Sequence, residues 1–274
     1  MPTTLTESNT FTSAITVPAS GEARTAASVD TPFQQITDRT KFLNNHVLPN
    51  GFMDGPAYIF VNAALPGVVV GPIPKLVIED TALSQSIEQV VSYSSLSGVT
   101  GWRYLYAYKS GSSIAYEWSA TGPTPDRVFQ SGDSTRRFVL SQRFLSGSPT
   151  HYAWKERGKV TYNLDRAGYD VGPLTASTFT AASLAAFAPP HARIVIIQAA
   201  LNAGENGATV YLRMGGSSGL GLPITSKAMT TPTTPNTYLS LDALVSDTQE
   251  IEYKLIDGGS DTPQFFINVL GYYE

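Results

Sequence analysis

The sequence contains no cysteine, which excludes a disulfide framework, thiolate catalysis and Cys-ligated zinc. Charge is scarce as well. Asp, Glu, Lys and Arg make up 15% of the 274 residues, against roughly 25% in an average soluble protein. Ser, Thr, Gly and Pro stand in their place, so the expected surface is rich in hydroxyls, of the kind that suits extracellular β structure and subunit contacts. A net charge of -4, with Arg136-Arg137 as the one tight basic pair, gives no footprint for nucleic acid. No apolar run approaches the length of a membrane span, so membrane insertion is not expected. The first residues, M-P-T-T-L-T-E-S-N-T, have neither a basic start nor an apolar stretch, and no secretory signal is expected.

What is present begins with T-P-F-Q-Q-I-T-D-R-T-K-F-L-N-N-H-V, Thr31 to Val47. Thr31 suits an N-cap, Pro32 the first helical position, and Gln34 completes a capping box. Phe33, Ile36, Thr40, Leu43 and Val47 then recur at alternating steps of three and four, the spacing of a heptad seam. A helix this short is marginal alone in water, so the seam must meet the body of the protein or copies of itself. Pro49 ends it by Leu48, and Asn50-Gly51 makes a flexible boundary.

Beyond Gly51 the pattern is β. Ala57 to Val61 reads as a short strand, and Gly67 to Ile78 as an edge or split strand because of Pro72 and Pro74. Leu83 to Val91 leans to strand. Trp102 to Tyr108 is the firmest, with Trp102, Tyr104, Tyr106 and Tyr108 on one face. Ile114 to Ser119, Arg137 to Phe144 and Lys159 to Leu164 follow. A second unit runs from about Asp165. Thr175 to Phe179 and Leu184 to Phe187 look like connecting strands or turns, and Arg193 to Leu201 is strongly apolar. Asn206-Gly207 signals a hairpin into Ala208 to Met214. Gly215 to Gly221 reads as a mobile loop at the tip. Thr237 to Leu241, Glu250 to Leu255 and Gln264 to Tyr272 complete the unit, with Asp257-Gly258-Gly259 as a tight turn. The expected architecture is therefore mainly β: an arm and short helix over residues 1–50, followed by two β-sandwich-like units, a middle β module over 51–164 and a sandwich or jelly-roll-like unit over 165–274.

The run from Ile15 to Leu43, with Ala26 to Val29, Thr31, Pro32, Gln34 and Asp38 to Thr40 at its centre, resembles the N-terminal segment of phage and prophage tail-fibre-like proteins. W-R-Y-L-Y-A-Y (Trp102 to Tyr108), T-G-P-T-P-D (Thr121 to Asp126), S-G-D-S-T-R-R-F (Ser131 to Phe138) and L-G-Y-Y-E (Leu270 to Glu274) are similar to later parts of the same proteins. The resemblance implies a receptor-binding-type structural protein, commonly trimeric, bound to its particle through the N-terminal part. Such a protein would assemble in the bacterial cytoplasm and leave by lysis as part of the virion. A capsid decoration or head-fibre protein, and a secreted carbohydrate-binding module, are the alternatives. Expected partners are other copies of the chain, a virion protein at residues 1–48, and a host surface glycan or protein.

Chemistry is weakly signalled, and no enzyme is expected. His46, His151 and His191 lie at no metal-ligand spacing, and no cofactor motif is present. The acids Asp126, Asp133, Asp165 and Asp170 read as turn formers rather than a glycosidase pair. Asp257 to Asp261 does not match an EF-hand. The aromatic stripe reads first as core. The alternative is a sugar-stacking platform carried by Trp102 and Tyr104, with Arg103 on the other face, in solvent or toward Glu117.

Overall fold

The computed structural model describes residues 53–61, 64–79, 81–156, 160–164, 169–202, 207–226, 237–257 and 263–274. The expected helix and its seam (Phe33, Ile36, Thr40, Leu43 and Val47) lie outside the described residues. Those described form twenty-one strands and one 3-10 turn, Ser94–Leu96, and the protein is mainly β.

In chain order the first unit carries β1 (Met53–Asp54), β2 (Tyr58–Val61), β3 (Gly67–Val70), β4 (Ile73–Ile78), β5 (Thr81–Gln85), β6 (Gln89–Ser92), β7 (Gly101–Ser110), β8 (Ser113–Ser119), β9 (Phe129–Gln130), β10 (Asp133–Leu145), β11 (Ser148–Pro149), β12 (Tyr152–Glu156) and β13 (Val160–Leu164). The second carries β14 (Val171–Leu174), β15 (Thr180–Ser183), β16 (Ile194–Asn202), β17 (Ala208–Met214), β18 (Leu222–Ser226), β19 (Thr237–Leu244), β20 (Glu250–Asp257) and β21 (Gln264–Tyr273).

Pro72 splits the Val/Ile-rich run as anticipated, separating β3 from β4, which belong to different sheets. Pro74 sits exposed in β4 where the register against β5 slips, a place that tolerates a residue without an N–H. The firmest predicted strand, β7, is buried on both sides from Tyr104 to Ala107. Leu105 and Ala107 enter the core of the first unit with Ile59, Val70, Leu76 and Leu140, while Tyr104 and Tyr106 face the other way with Phe138.

The second unit has a definite topology. One sheet runs β14-β21-β16-β19 and the other β15-β20-β17-β18. The pairs β14–β21, β15–β20, β16–β19 and β17–β18 are all antiparallel. This is one long ribbon, four strands out and four back, wrapped so that its pairs fall alternately on two sheets. The result is an eight-stranded jelly roll. Alternation explains the wrap: Phe265, Ile267 and Val269 of β21 are buried while Phe266, Asn268 and Leu270 are half-exposed. The inward set joins Val195, Ile197, Val210, Ile251 and Leu255 in one apolar core.

Two expectations fail here for one reason. Asn206-Gly207 does not close a hairpin, because β16 and β17 lie in different sheets. Likewise β20 and β21 occupy different sheets, so the turn expected at Asp257, whose Gly258 and Gly259 lie outside the described residues, does not join paired strands. In a jelly roll, most successive strands swap layers, and local turn chemistry does not reveal which pair stays together.

The boundary expected near Asp165 is crossed by a single nine-stranded sheet, with order β19-β16-β21-β13-β12-β2-β3-β6 and β14 also on β21. Along one edge of β21, Phe265 to Ile267 pair with β14 and Gly271 to Tyr273 pair with β13. Gly271 permits this close pass. A Cβ there would stand 2.5 Å from the Thr161 carbonyl oxygen.

Candidate functional site

The aromatic stripe lies where the two units meet. Tyr104 is 6% exposed, and its ring centroid is 5.8 Å from that of His191. Trp102 is half-buried; its indole N–H donates to the Ala185 carbonyl at 3.0 Å and its ring meets Tyr272 edge-on at 6.1 Å. Tyr106 donates to the Thr121 carbonyl at 2.9 Å. Tyr104 therefore has no ring face open to a sugar. Arg103 donates to the Trp102 carbonyl at 2.7 Å, and Glu117 pairs with Arg136 instead. The register accounts for this, since Glu117 stands opposite Tyr106, on the face away from Arg103.

Behind the stripe is a buried polar cluster centred on Glu274, which is 5% exposed. Its carboxylate accepts from Lys155 Nζ at 2.7 Å, Thr161 Oγ1 at 2.8 Å and the Ser141 N–H at 2.7 Å. Burial pushes this carboxyl up, but the charges of Lys155 and His191 and the hydrogen bonds from Lys155 and Thr161 hold it below its usual range. Tyr272 donates to the Ser141 carbonyl at 3.0 Å. His191 is packed between Tyr104 and Phe138. Burial lowers its pKa to about 4, with Arg127 and Lys155 adding to the effect and Glu274 opposing it.

Ser141 Oγ lies 3.4 Å from His191 Nε2, a pairing that invites comparison with a nucleophile and its base. The geometry does not carry that role. Ser141 is 0% exposed, and His191 Nδ1 is buried without a hydrogen-bond partner. A catalytic base needs its second nitrogen oriented by a carboxylate, and Glu274 is committed to Lys155, Thr161 and the Ser141 N–H. The cluster acts as a lock between strands.

Beside the lock is a cavity of about 520 Å³ bounded by Met53, Asp54, Arg127, Arg137, Lys155 and Glu274 among others. Its size suits a small ligand. Arg137 donates through one nitrogen to the carbonyls of Arg127, Val128 and Phe138 at 3.1, 2.6 and 3.1 Å. Burial lowers its pKa to about 10, so it stays charged at neutral pH. With Asp126 also in the lining, acids and bases balance, and the cavity favours neither sign of ligand.

The acids settle into local roles. Asp126 accepts from Thr124 Oγ1 at 2.5 Å and the Val128 N–H at 3.2 Å. Asp133 accepts from the Thr135 N–H at 2.8 Å and Oγ1 at 2.7 Å. These are the side-chain-to-backbone bonds of turn formers. Asp170 accepts from the Val269 N–H at 2.6 Å, fastening β14 to β21. Asp165 lies outside the described residues. The Gly215 to Gly221 loop is exposed at Gly216 and Ser218 to Leu220 and anchored at its base. Glu252 accepts from the Gly216 N–H at 3.0 Å and pairs with Arg213, which donates to the Gly219 carbonyl at 2.9 Å. Loop residues Gly215 and Ser246 both bond to the Glu250 carbonyl, and Val245 bonds to that of Arg193. The loop thus sits at the end of the jelly roll where residues 184–193 meet the first unit.

Sequence reasoning missed a surface feature. On the outer face of the long sheet a row of directly opposed residues runs Val90, Val69, Phe60, Trp154, Tyr162, Gly271, Ile196, Asp242. Val90 is 57% and Tyr162 45% exposed. Trp154 lies parallel to Tyr58 at 5.6 Å and edge-on to Phe60 at 6.1 Å. The alternating Tyr58/Phe60 and Trp154 positions are visible in the sequence, but the register that aligns them is not.

Among the described residues no cluster of three or more His, Asp or Glu could hold a metal, and no helix is long and apolar enough to cross a membrane. No family model matches the chain, and no curated protein matches it either. One solved structure, described as "Structure of infectious bursal disease virus Gx strain", aligns over 80% of this chain and 66% of its own length. The identity is 12% and the TM-score 0.13, too slight a likeness to bear on fold or function.

Proposed function

We propose that this chain is a homotrimeric fibre or receptor-binding-type structural protein of a phage tail or related particle. In this reading residues 1–48 bind another virion protein and set a three-fold register through Phe33, Ile36, Thr40, Leu43 and Val47. Residues 51–164 form a shoulder and 165–274 a head that contacts a host surface glycan or protein. The observation that most supports it is the mechanical continuity of the β units: β21 belongs to the jelly roll along its first half and to the first unit at its end, as a shoulder and head that transmit force together require. The resemblance of Ile15 to Leu43 to tail-fibre-like proteins supplies the particle.

Light scattering on the full chain and on Leu43→Asp tests the proposal. The expected result is a trimer for the natural sequence and a smaller species, with unchanged β circular dichroism, for the variant. A monomeric natural chain would overturn it. That outcome would favour a second reading, a secreted carbohydrate-binding module, for which the aromatic ladder of half-buried Phe60 and Trp154 and exposed Tyr162 speaks.

A further inference from the structure

The outer face of the nine-stranded sheet has the anatomy of a protein interface. Its middle is apolar and aromatic: Phe60, Trp154, Tyr162 and Ile196 stand in register across four strands, with the backbone of Gly271 between the last two. Phe266, with Tyr169 stacked on it at 4.5 Å, widens the face within the jelly roll, as do Tyr238 and Leu244, which are 54% and 58% exposed. Among the described residues, the charges that hydrogen-bond to the face's own side chains are acidic. Asp242 ends the row and accepts from Tyr273 Oη at 3.0 Å; Glu88, beside the other end, accepts from Tyr58 Oη at 2.6 Å. Backbone register also places Glu156 opposite Tyr58. No outward position of β2, β12, β13, β16, β19 or β21 is Lys or Arg. An apolar centre inside a polar rim is the usual layout of a protein–protein contact.

Size decides whether it matters. Eight strands span seven spacings of about 4.8 Å, roughly 34 Å. Three outward positions along the longer strands span roughly 20 Å, and two along β2, β3 and β6 roughly 14 Å. The face is therefore on the order of 600 Å², at the lower end of what one partner contributes to a stable complex. We infer that this face is the contact between copies of this chain. The inference rests on the homo-oligomeric reading above and locates its interface. A second copy is the partner at hand. The seam ends at Val47, six residues before Met53, a reach of only ~20 Å. Copies joined there hold one another's sheets at a high effective concentration. With no Lys or Arg at the outward strand positions, the middle of the face has nothing to attract an acidic partner. A sugar would find its tyrosine hydroxyls at Tyr58 and Tyr273 already donating to the chain's own carboxylates.

The absence of cysteine makes the test clean. In the full-length chain, Tyr162→Cys places one thiol on the face, and Ser112→Cys places one on the exposed turn between β7 and β8, which belong to another sheet. The expected result is an oligomer in which a short bis-maleimide joins Tyr162→Cys copies at least tenfold more than Ser112→Cys copies. Ile196→Glu, with an unchanged far-ultraviolet spectrum, should raise the dissociation concentration at least tenfold. An oligomer in which the bis-maleimide joins Tyr162→Cys copies no more than Ser112→Cys copies overturns the inference and leaves the oligomeric reading standing. A monomeric natural chain overturns both. A Trp emission change on adding dextran, abolished by Trp154→Phe, would give the face to a sugar and also overturn it.

Discussion

The jelly roll and the junction that ties it to the first unit are closed by opposite means. Inside the jelly roll the clustered buried side chains are apolar, from Leu184 and Ile197 to Phe265 and Val269. At the junction the buried groups include Ser141, Gln142, Thr161 and Glu274, held by hydrogen bonds and one ion pair. The first kind of closure is non-directional and tolerates small shifts. The second demands that every partner be present, since a buried charge left alone is expensive. The protein thus places forgiving packing within a unit and exacting polar geometry where two units must keep one orientation.

The largest expected effect is at the junction. Glu274→Gln leaves Lys155 buried without its counter-charge and should cost about 3–5 kcal/mol by urea unfolding at pH 7. Glu274 is held below its usual range when folded, so this difference is full above the unfolded carboxyl pKa. It should fade as pH falls through the depressed folded value. Ile197→Ala, at a fully buried position of the jelly roll, should cost about 2–5 kcal/mol, and its cost should stay constant as the pH is lowered through that same acid range. If both variants respond alike to pH, the contrast between the two closures is wrong.

Acid alone should separate the regions next. His191 falls from an ordinary 6.5 to about 4 in the folded chain, so the folded state disfavours its protonation. Stability is complete above pH 6.5 and declines between there and about pH 4, by up to about 3 kcal/mol. His191→Gln should flatten that part of the curve. Gly271→Ala is the smallest: a Cβ at 2.5 Å from the Thr161 oxygen must push β21 off β13, at about 1–3 kcal/mol. Hydrogen exchange should then rise at Val160 to Tyr162 and stay unchanged at Val195 to Ala199. Faster exchange in β16 would mean the units do not yield separately.

Much of the strand content was legible because alternation and β-branched runs are local. β2, β7, β8, β16, β17, β20 and β21 lie within a residue or two of where pattern alone puts them. Short partners such as β9, β11 and β14 carry too few residues for any period to show, and they form only because a longer strand offers an edge. The strand β18 escaped notice because the glycine-rich approach to it, ending at Gly221, reads as loop. Pairing was less legible than existence. Asn206-Gly207 has the chemistry of a hairpin, yet the layer swap between β16 and β17 is decided by burying both faces of a ribbon. The buried lock was invisible for a related reason. Glu274 and Thr161 are 113 residues apart, and Ser141 and His191 carry no motif. The aromatic stripe at Trp102 to Tyr108 was recognisable as a stripe, with core as its first reading. The ladder at Phe60, Trp154 and Tyr162 comes one ring per strand and needs the register to exist.

The shared strand β21 also sets a clock. The Thr161–Glu274 bond, 113 residues in span, means that the first unit is made early but completed late. At ~5–20 residues per second of synthesis, β13 waits roughly 6–20 seconds for its neighbour. Throughout that interval its hydrogen-bonding edge is unpaired, and such an edge is a template for any passing strand. The most vulnerable moment of such a sheet is just before that strand arrives.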